Sequence, residues 1–158
     1  MRSKQAKKRT IQPDAKYKSV KMARLIGRVM KDGKKQVAQK QVYGALETVA
    51  EKTKKKPVEV LEEVLKQIAP KMEVRSRRVG GAAYQVPVPV RGARATSLSI
   101  RWLVTEANKL PSKTYHSFAE KLTAEMLSAL NNEGGSIQKR DAVHRMADAN
   151  KAFAHFRW

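Results

Sequence analysis

Three arginines, two adjacent glycines and a tyrosine share one short segment, as Arg75, Arg77, Arg78, Gly80, Gly81 and Tyr84. An arginine fork can hold two phosphate oxygens, glycine lets a backbone approach a ligand closely, and tyrosine can stack on a nucleobase. We interpret this segment as a candidate nucleic-acid contact. The alternative is a hairpin whose arginines are only solvated, which we favour less in a chain with a net charge of +20.

The net charge is the largest signal in the composition. The 158 residues include 34 Lys/Arg against 14 Asp/Glu. Like charges repel in a compact fold, so this excess indicates a polyanionic partner, either a nucleic acid or an anionic membrane surface. The absence of cysteine excludes disulfides and thiolate metal sites. No apolar run approaches the roughly 18 residues that a membrane-spanning helix needs.

Most of the excess charge is confined to two blocks of the chain. Residues 1–40 carry a net charge of +12 and residues 71–101 one of +6, whereas residues 41–70 and 102–132 are each neutral. Positive charge that served only solubility would be spread more evenly. The two blocks therefore predict a localised binding surface.

Catalytic and cofactor-binding patterns are lacking in the sequence. His116, His144 and His155 have neither metal-ligand nor triad spacing. The stretch GRVMKDGKK (27–35) superficially resembles a phosphate loop, but the gap between its glycines is too long and Lys35 stands where Ser or Thr is needed. We predict that the protein is not an enzyme and that it needs no metal or cofactor.

Apolar residues recur at helical spacing in six segments, at about 19–30, 35–53, 57–70, 96–110, 114–130 and 136–158. Ser19 can cap the first helix, and Thr96 or Ser97 the fourth. Residues 72–90 instead alternate with period two on both sides of Gly80-Gly81, which predicts a hairpin. Because two strands alone are marginally stable, its base must pack on the helices while its tip projects.

These patterns predict an all-α fold, with a flexible basic arm over residues 1–18 and a single six-helix domain over residues 19–158. A two-stranded β-hairpin at about 72–90 protrudes from that domain.

Basic residues also follow one side of two predicted helices. Lys21, Arg24 and Arg28 recur at helical spacing on the first helix, and Arg140 shares a side of the last helix with His144. We include these four basic residues in the candidate RNA-binding set. The C-terminal stretch HRMADANKAFAHFRW (144–158) is rich in aromatic and basic residues, and residue types alone leave open whether it docks on the core or joins an RNA surface.

Several longer strings resemble one family closely. They are DGKK (32–35), ALETV (45–49), VRSRRVGGAAYQVPV (74–88), IRWLV (100–104) and KRDAVHRMADANKAFAHFRW (139–158). The chain is similar, from Pro13 to Trp158, to the seventh protein of the small ribosomal subunit in its bacterial form. Two stretches depart from the family pattern, PVPVRGARATS (87–97) and KLPSKTYHS (109–117).

The resemblance implies a fold and a function. The fold is a six-helix domain with a protruding hairpin. The function is structural: primary binding of small-subunit ribosomal RNA (rRNA), with nucleation of head assembly through the three-prime major domain. Family members lie at the subunit interface near the decoding region, with messenger RNA and the exit-site transfer RNA nearby. Their protein partners are the ninth and eleventh small-subunit proteins.

The resemblance also assigns RNA contacts to positions of this chain. These are the arm, the turn after the first helix, the hairpin and the segment after it: Arg2, Lys4, Lys7, Lys8, Arg9, Lys34, Lys35, Arg75, Arg77, Arg78, Arg91, Arg94 and Arg101. The hairpin tip, with Gly80, Gly81 and Tyr84, is expected to approach the exit-site transfer RNA. We expect no membrane partner and no homo-oligomer.

The expected location is the ribosome in the cytoplasm. The family pattern starts about a dozen residues into the chain, which favours a bacterial protein or an organelle-encoded one. Three rival functions are an architectural DNA-binding protein, an RNA-processing enzyme and a cationic membrane-surface protein. The first would bind duplex DNA, the second would need catalytic residues, and the third would bind anionic vesicles.

Overall fold

The computed structural model describes residues 10–157, which form six α-helices, one hairpin and a C-terminal 3-10 helix. Their bounds are α1 Val20–Val29, α2 Lys35–Thr53, α3 Pro57–Ile68, β1 Met72–Val79, β2 Ala82–Pro89, α4 Ala93–Lys109, α5 Phe118–Leu130, α6 Gly135–Ala149 and the 3-10 helix Lys151–Phe156. The predicted fold class, helical with one two-stranded antiparallel hairpin, is confirmed.

The helices share one hydrophobic core. Its largest fully buried side chains come from α1 to α5 and include Met22, Leu25, Ile26, Leu46, Leu61, Leu103, Leu122 and Met126. Each such side chain stabilises the fold by about 1.5–3 kcal/mol relative to an exposed position. This shared core fixes α1 against α4, which positions the basic residues described below.

Local signals explain where most helices begin. The Ser19 side chain caps α1 by accepting a hydrogen bond from the Met22 amide, and Pro57 occupies the first turn of α3, both as predicted. The predicted cap of α4 at Thr96 or Ser97 is wrong. That helix begins at Ala93, after Gly92 turns the chain with a φ of 53°. The Thr96 hydroxyl instead donates to the Gly92 carbonyl inside the first turn.

The last two helices are also shorter than predicted. The fifth begins at Phe118 and not near Thr114, because Ser117 and Glu120 form a capping box. The Ser117 hydroxyl accepts from the Glu120 amide while the Glu120 carboxylate accepts from the His116 amide. The sixth ends at Ala149, and the chain continues as a 3-10 helix.

Residues 14–17, at the end of the predicted arm, are clamped onto α2. Asp14 is 6% exposed, and its carboxylate accepts hydrogen bonds from the Tyr43 hydroxyl at 2.7 Å and from the Lys16 and Tyr17 amides at 3.2 Å. The Tyr17 ring meets the Tyr43 ring edge-on, with centroids 5.5 Å apart. Lys16 lies 5.3 Å from both ring centroids and pairs with Glu47. Hence these residues pack on the domain.

The clamp shifts the pKa of both hydrogen-bonded partners. Burial alone would raise the pKa of Asp14, but the hydrogen bonds from Tyr43 and the backbone amides outweigh it, so the pKa lies below its ordinary value. Burial, reinforced by Asp14, raises the pKa of Tyr43 to about 12. The charged carboxylate and the neutral phenol therefore persist together over a wide pH range.

We predict that Tyr43→Phe lowers the free energy of unfolding by about 1.5–3 kcal/mol at pH 7, the range for a hydrogen bond to a charged group. A lowered Asp14 pKa stabilises the fold above the unfolded pKa, and that stabilisation is lost as pH falls through the folded pKa. A raised Tyr43 pKa acts oppositely, stabilising below about pH 10 and fading towards pH 12. Urea unfolding across pH should thus show the difference between variant and parent shrinking at both extremes.

Tyr115→Phe is the matched control, because this half-buried tyrosine donates no side-chain hydrogen bond among residues 10–157. A constant difference for Tyr43→Phe from pH 3 to pH 12 would contradict the clamp.

Candidate nucleic-acid interface

A surface groove between α1 and α4 collects arginines from the two basic blocks of the sequence. Arg24 and Arg28 lie one turn apart on α1, and Arg94 and Arg101 lie two turns apart on α4. The groove has a volume of about 780 Å³, and no Asp or Glu is among its described lining residues. We call it the α1–α4 groove. No lining carboxylate competes with a chain of phosphates for the guanidinium groups of Arg24, Arg28 and Arg101.

The floor of the α1–α4 groove is open along α1. Gly27 lies between the two α1 arginines, and a Cβ built on it would meet no atom within 4 Å apart from its chain neighbours and the adjacent backbone of α1. Glycine inside a helix is destabilising by roughly 0.5–1 kcal/mol relative to alanine. The missing side chain leaves room for the backbone of a ligand to approach the helix.

Strand β2 of the hairpin leads directly into α4, at one end of this groove. Its turn is Gly80-Gly81, as predicted, with φ of 57° and 91°, values that both residues of a type I′ turn require. The tip is exposed, while Val86 and Val90 near the base are buried, so the base packs on the helices as predicted.

The strand register distributes the hairpin arginines over both faces. Arg75 pairs with Val86 and Arg77 with Tyr84, which places these four side chains on one face, whereas Arg78 pairs with Ala83 on the other. Arg75 and Arg78 are exposed and Arg77 is half-buried. The hairpin thus presents cations in two directions.

A buried glutamate joins the hairpin to the α1–α4 groove. Glu73, 7% exposed, pairs through one carboxylate oxygen with Arg75 at 2.5 Å and through the other with Arg94 at 3.0 Å. Both arginines keep about half of their side-chain surface exposed. Glu73 therefore orients two arginines that could bind phosphates, and leaves both accessible to solvent.

Tyr84, predicted as a stacking partner for a nucleobase, is half-buried and contacts two aromatic rings of the protein. Its ring lies 5.2 Å from that of Phe153 and 5.1 Å from that of Phe156, both in the C-terminal 3-10 helix. We call these three residues the aromatic brace. The 3-10 helix of the C-terminal stretch thus packs on β2 of the hairpin, and none of its residues is buried.

Two other candidate cations already have partners within the protein. Lys21 pairs with Glu62 of α3 at 2.6 Å, beside the acidic side of that helix and away from the α1–α4 groove. Arg140 donates to the Gln67 carbonyl at 2.7 Å and pairs with Asp141, which fastens α6 to the end of α3. That pairing with Arg140 outweighs burial and holds the pKa of Asp141 below its ordinary value.

The remaining candidates divide into exposed residues and residues outside the described chain. Lys34, Lys35 and Arg91 are exposed, the first two at the turn from α1 to α2 and the third just before α4. The arm residues Arg2, Lys4, Lys7, Lys8 and Arg9 lie outside residues 10–157.

Sequence reasoning missed an apolar pocket beside the turn from α1 to α2. Its wall includes Val37, which is 57% exposed, and Phe118 at the start of α5. The capping box before Phe118 was a readable signal for that position, whereas the pocket itself depends on tertiary packing. Within residues 10–157, no cluster of three or more His, Asp or Glu could hold a metal ion, and no helix is long and apolar enough to span a membrane.

Comparison with known proteins identifies the family. A profile of the family described as Ribosomal protein S7p/S5e matches residues 1–151. The chain belongs to this family. Membership of this S7p/S5e ribosomal family confirms the resemblance stated above and the prediction that the protein is a structural component and not an enzyme.

Similar proteins agree over nearly the full chain. Small ribosomal subunit protein uS7 of Caldanaerobacter subterraneus subsp. tengcongensis is 55% identical over 96% of this chain and 95% of its own. The uS7 proteins of Thermosipho melanesiensis and Thermotoga maritima are 52% and 51% identical, each over the whole of both chains. The similarity to uS7 relatives thus includes both basic blocks and the hairpin.

We predict that Phe156→Ala releases the 3-10 helix from β2 without unfolding the domain. Aromatic pairs of this kind contribute about 0.5–1.5 kcal/mol beyond their buried area, and the ring of Phe156 contacts three others, those of Tyr84, Phe153 and His155. Hydrogen exchange should accelerate at residues 151–157 and along β2, with little change in α2 or α5. Lys151→Ala, an exposed change in the same helix, is the control. Unchanged exchange along β2 in Phe156→Ala would show that the tail does not brace the hairpin.

Proposed function

We propose that this chain is a structural rRNA-binding protein of the small ribosomal subunit, located in cytoplasmic ribosomes. One observation carries the proposal: arginines from two distant segments converge around the α1–α4 groove, where no described lining residue is acidic. The relatives' name, small ribosomal subunit protein, supports the assignment to that subunit.

The mechanism we propose is neutralisation of phosphates on a rigid scaffold. Guanidinium groups along the α1–α4 groove replace counterions condensed on the RNA, and the release of those ions drives binding. Backbone contacts fix register and orientation, so selectivity comes from the shape of an RNA junction and not from a base code. With roughly six to ten phosphate contacts, affinity falls about 10³–10⁵-fold between 50 and 200 mM salt.

The finer assignment belongs to the same proposal. The protein binds the three-prime major domain of the rRNA early and nucleates assembly of the head, with the basic arm over residues 1–18 adding phosphate contacts. Its hairpin tip lies at the subunit interface near the decoding region, messenger RNA and exit-site transfer RNA, and it contacts the ninth and eleventh small-subunit proteins. The exposed arginines Arg75 and Arg78 on opposite hairpin faces support a tip that meets more than one RNA strand.

The double substitution Arg24→Gln with Arg101→Gln tests the proposal. We expect weaker binding to a head-domain transcript and a salt slope reduced by about 2, because each lost phosphate contact removes about one unit. The measurement is a binding titration across a salt series, with duplex DNA and an unrelated folded RNA as competitors. Both arginines are at least partly exposed, so the fold should be unaffected.

Lys54→Gln with Lys56→Gln is the matched control, since it removes the same charge from exposed lysines outside the α1–α4 groove. If both double variants lost the same affinity for the head-domain transcript, binding would depend on net charge alone and not on the α1–α4 groove. Equal affinity of the parent protein for all three nucleic acids would overturn the assignment to rRNA.

Gly27→Ala separates stability from binding in a second test. Because the new Cβ would meet nothing in the protein, we expect the free energy of unfolding to rise by about 0.4–1 kcal/mol. The same methyl group protrudes between Arg24 and Arg28, so affinity for the head transcript should fall. Urea unfolding and transcript titration measure the two effects.

Gly44→Ala, at the other helical glycine with open space around its Cβ, is the control for that pair of measurements. It should stabilise the protein similarly and leave RNA affinity unchanged, since Gly44 lies outside the α1–α4 groove. Undiminished affinity in Gly27→Ala would contradict a close approach of RNA to α1.

A further inference from the structure

The apolar pocket beside the turn from α1 to α2 lies outside the electrostatic mechanism described above. We call it the turn pocket. Val29 and Val37 of the first two helices, Val104 of α4 and Phe118 of α5 supply its apolar wall. Its volume is about 240 Å³, below the roughly 300–1,000 Å³ of sites for drug-sized ligands. The turn pocket therefore fits one small group.

Hydrogen bonds hold the turn pocket in shape. The Gln41 side-chain oxygen accepts from the Ala119 amide at 2.9 Å and ties the start of α5 to α2. The Ser117 capping box fixes the same turn from the other side. Phe118, between these two anchors, is thus positioned before any ligand arrives, which reduces the ordering cost of binding.

Three cations surround the apolar wall. Arg28, Lys31 and Lys34 line the turn pocket and are all exposed, and no described lining residue is acidic. Arg28 also lines the α1–α4 groove, so the two sites share one cation and are neighbours. A polyanion bound along the α1–α4 groove would therefore pass close to the turn pocket. The rim favours a nucleic acid over an apolar protein segment, which would leave these charges without partners.

One polar group in the turn pocket can read a base edge. The Asn108 amide nitrogen donates to the Val104 carbonyl at 2.9 Å, while its side-chain oxygen accepts no hydrogen bond within residues 10–157. An acceptor at this position suits the exocyclic amino group of adenine, cytosine or guanine, which uracil lacks.

We propose that the turn pocket receives one unstacked nucleobase bearing an exocyclic amino group, with flanking phosphates held by Arg28, Lys31 and Lys34. This inference rests on the proposed function, RNA binding. RNA recognition commonly uses bases that are splayed out of the helix and buried against flat or apolar side chains. The turn pocket would add a base contact to a surface that otherwise contacts only phosphates.

Filling the turn pocket is the first test. Val37→Trp substitutes an exposed residue and should not unfold the protein. We expect affinity for the head transcript to fall about tenfold, the order of one lost base contact, with the salt slope unchanged because no cation is removed. Met146→Trp, at an exposed apolar position on α6, is the control and should leave affinity unchanged.

Nucleotide probes test the chemistry of the occupant. With methyl-labelled valine, AMP and CMP should shift the resonances of Val37 and Val104, UMP should shift them less, and ribose 5-phosphate should not. Asn108→Leu should abolish the preference for AMP over UMP. Equal shifts with ribose 5-phosphate would reveal a plain anion site and overturn the proposal.

The failure modes of the two proposals differ. If the parent protein does not bind the head transcript selectively, the proposed function is refuted. Only the base pocket would be refuted if Val37→Trp kept its full affinity for the transcript and the valine methyl resonances of the parent protein did not shift in any titration. Shifts of these methyls by a small-subunit protein, and not by nucleotides, would assign the turn pocket to a protein partner and equally overturn the inference.

Discussion

Repulsion among like charges is the constraint on which the arrangement of this protein depends. The α1–α4 groove brings together four arginines with no carboxylate among its described lining residues. At the protein surface, two charges a few ångströms apart interact by only about 1–4 kcal/mol, and salt screens this further. Beneath the arginines, α1 buries Met22, Leu25 and Ile26, and α4 buries Leu98 and Leu103. At about 1.5–3 kcal/mol each, these side chains outweigh the repulsion and hold the cations together until a polyanion neutralises them.

Glu73 relieves the repulsion where it would be most damaging. It is the one acidic residue of the block 71–101, and it bridges Arg75 of the hairpin and Arg94 of α4. A buried carboxylate is tolerated only when charge and hydrogen bonds compensate it, and each oxygen of Glu73 has an arginine. Because one carboxylate faces two guanidinium groups, neutralisation is incomplete. Both arginines are half exposed, so each can still meet a phosphate. The same side chain that lets two cations approach therefore fixes the hairpin base relative to the α1–α4 groove.

Local patterns in the sequence predicted the elements, and tertiary packing decided what their side chains do. Period-two alternation around Gly80-Gly81 was enough for the hairpin, since Gly-Gly readily takes the two successive positive φ values of a tight hairpin turn. Helical spacing placed Arg24 and Arg28 on one side of α1, but no local pattern could bring Arg101 beside them. Alternation along β2 could not show which segment contacts Tyr84, and the structure places Phe153 and Phe156 against its ring. The α5 boundary was readable in the Ser117–Glu120 box, and the family resemblance implied the same fold that these patterns predicted.

The hairpin is braced, which changes how it can act. On one side the His144 ring nitrogen accepts from the Lys71 amide at 3.0 Å, so α6 holds the start of β1. On the other side the aromatic brace holds β2, and Glu73 ties the base to α4. A free two-stranded hairpin would lose conformational entropy on every encounter with RNA, at about 1–2 kcal/mol for each residue ordered. These three contacts order the hairpin when the protein folds. Its exposed arginines are therefore close to their bound geometry before RNA arrives. The helical domain thus does more than carry the hairpin: it sets the distance and direction at which the hairpin cations stand from the α1–α4 groove.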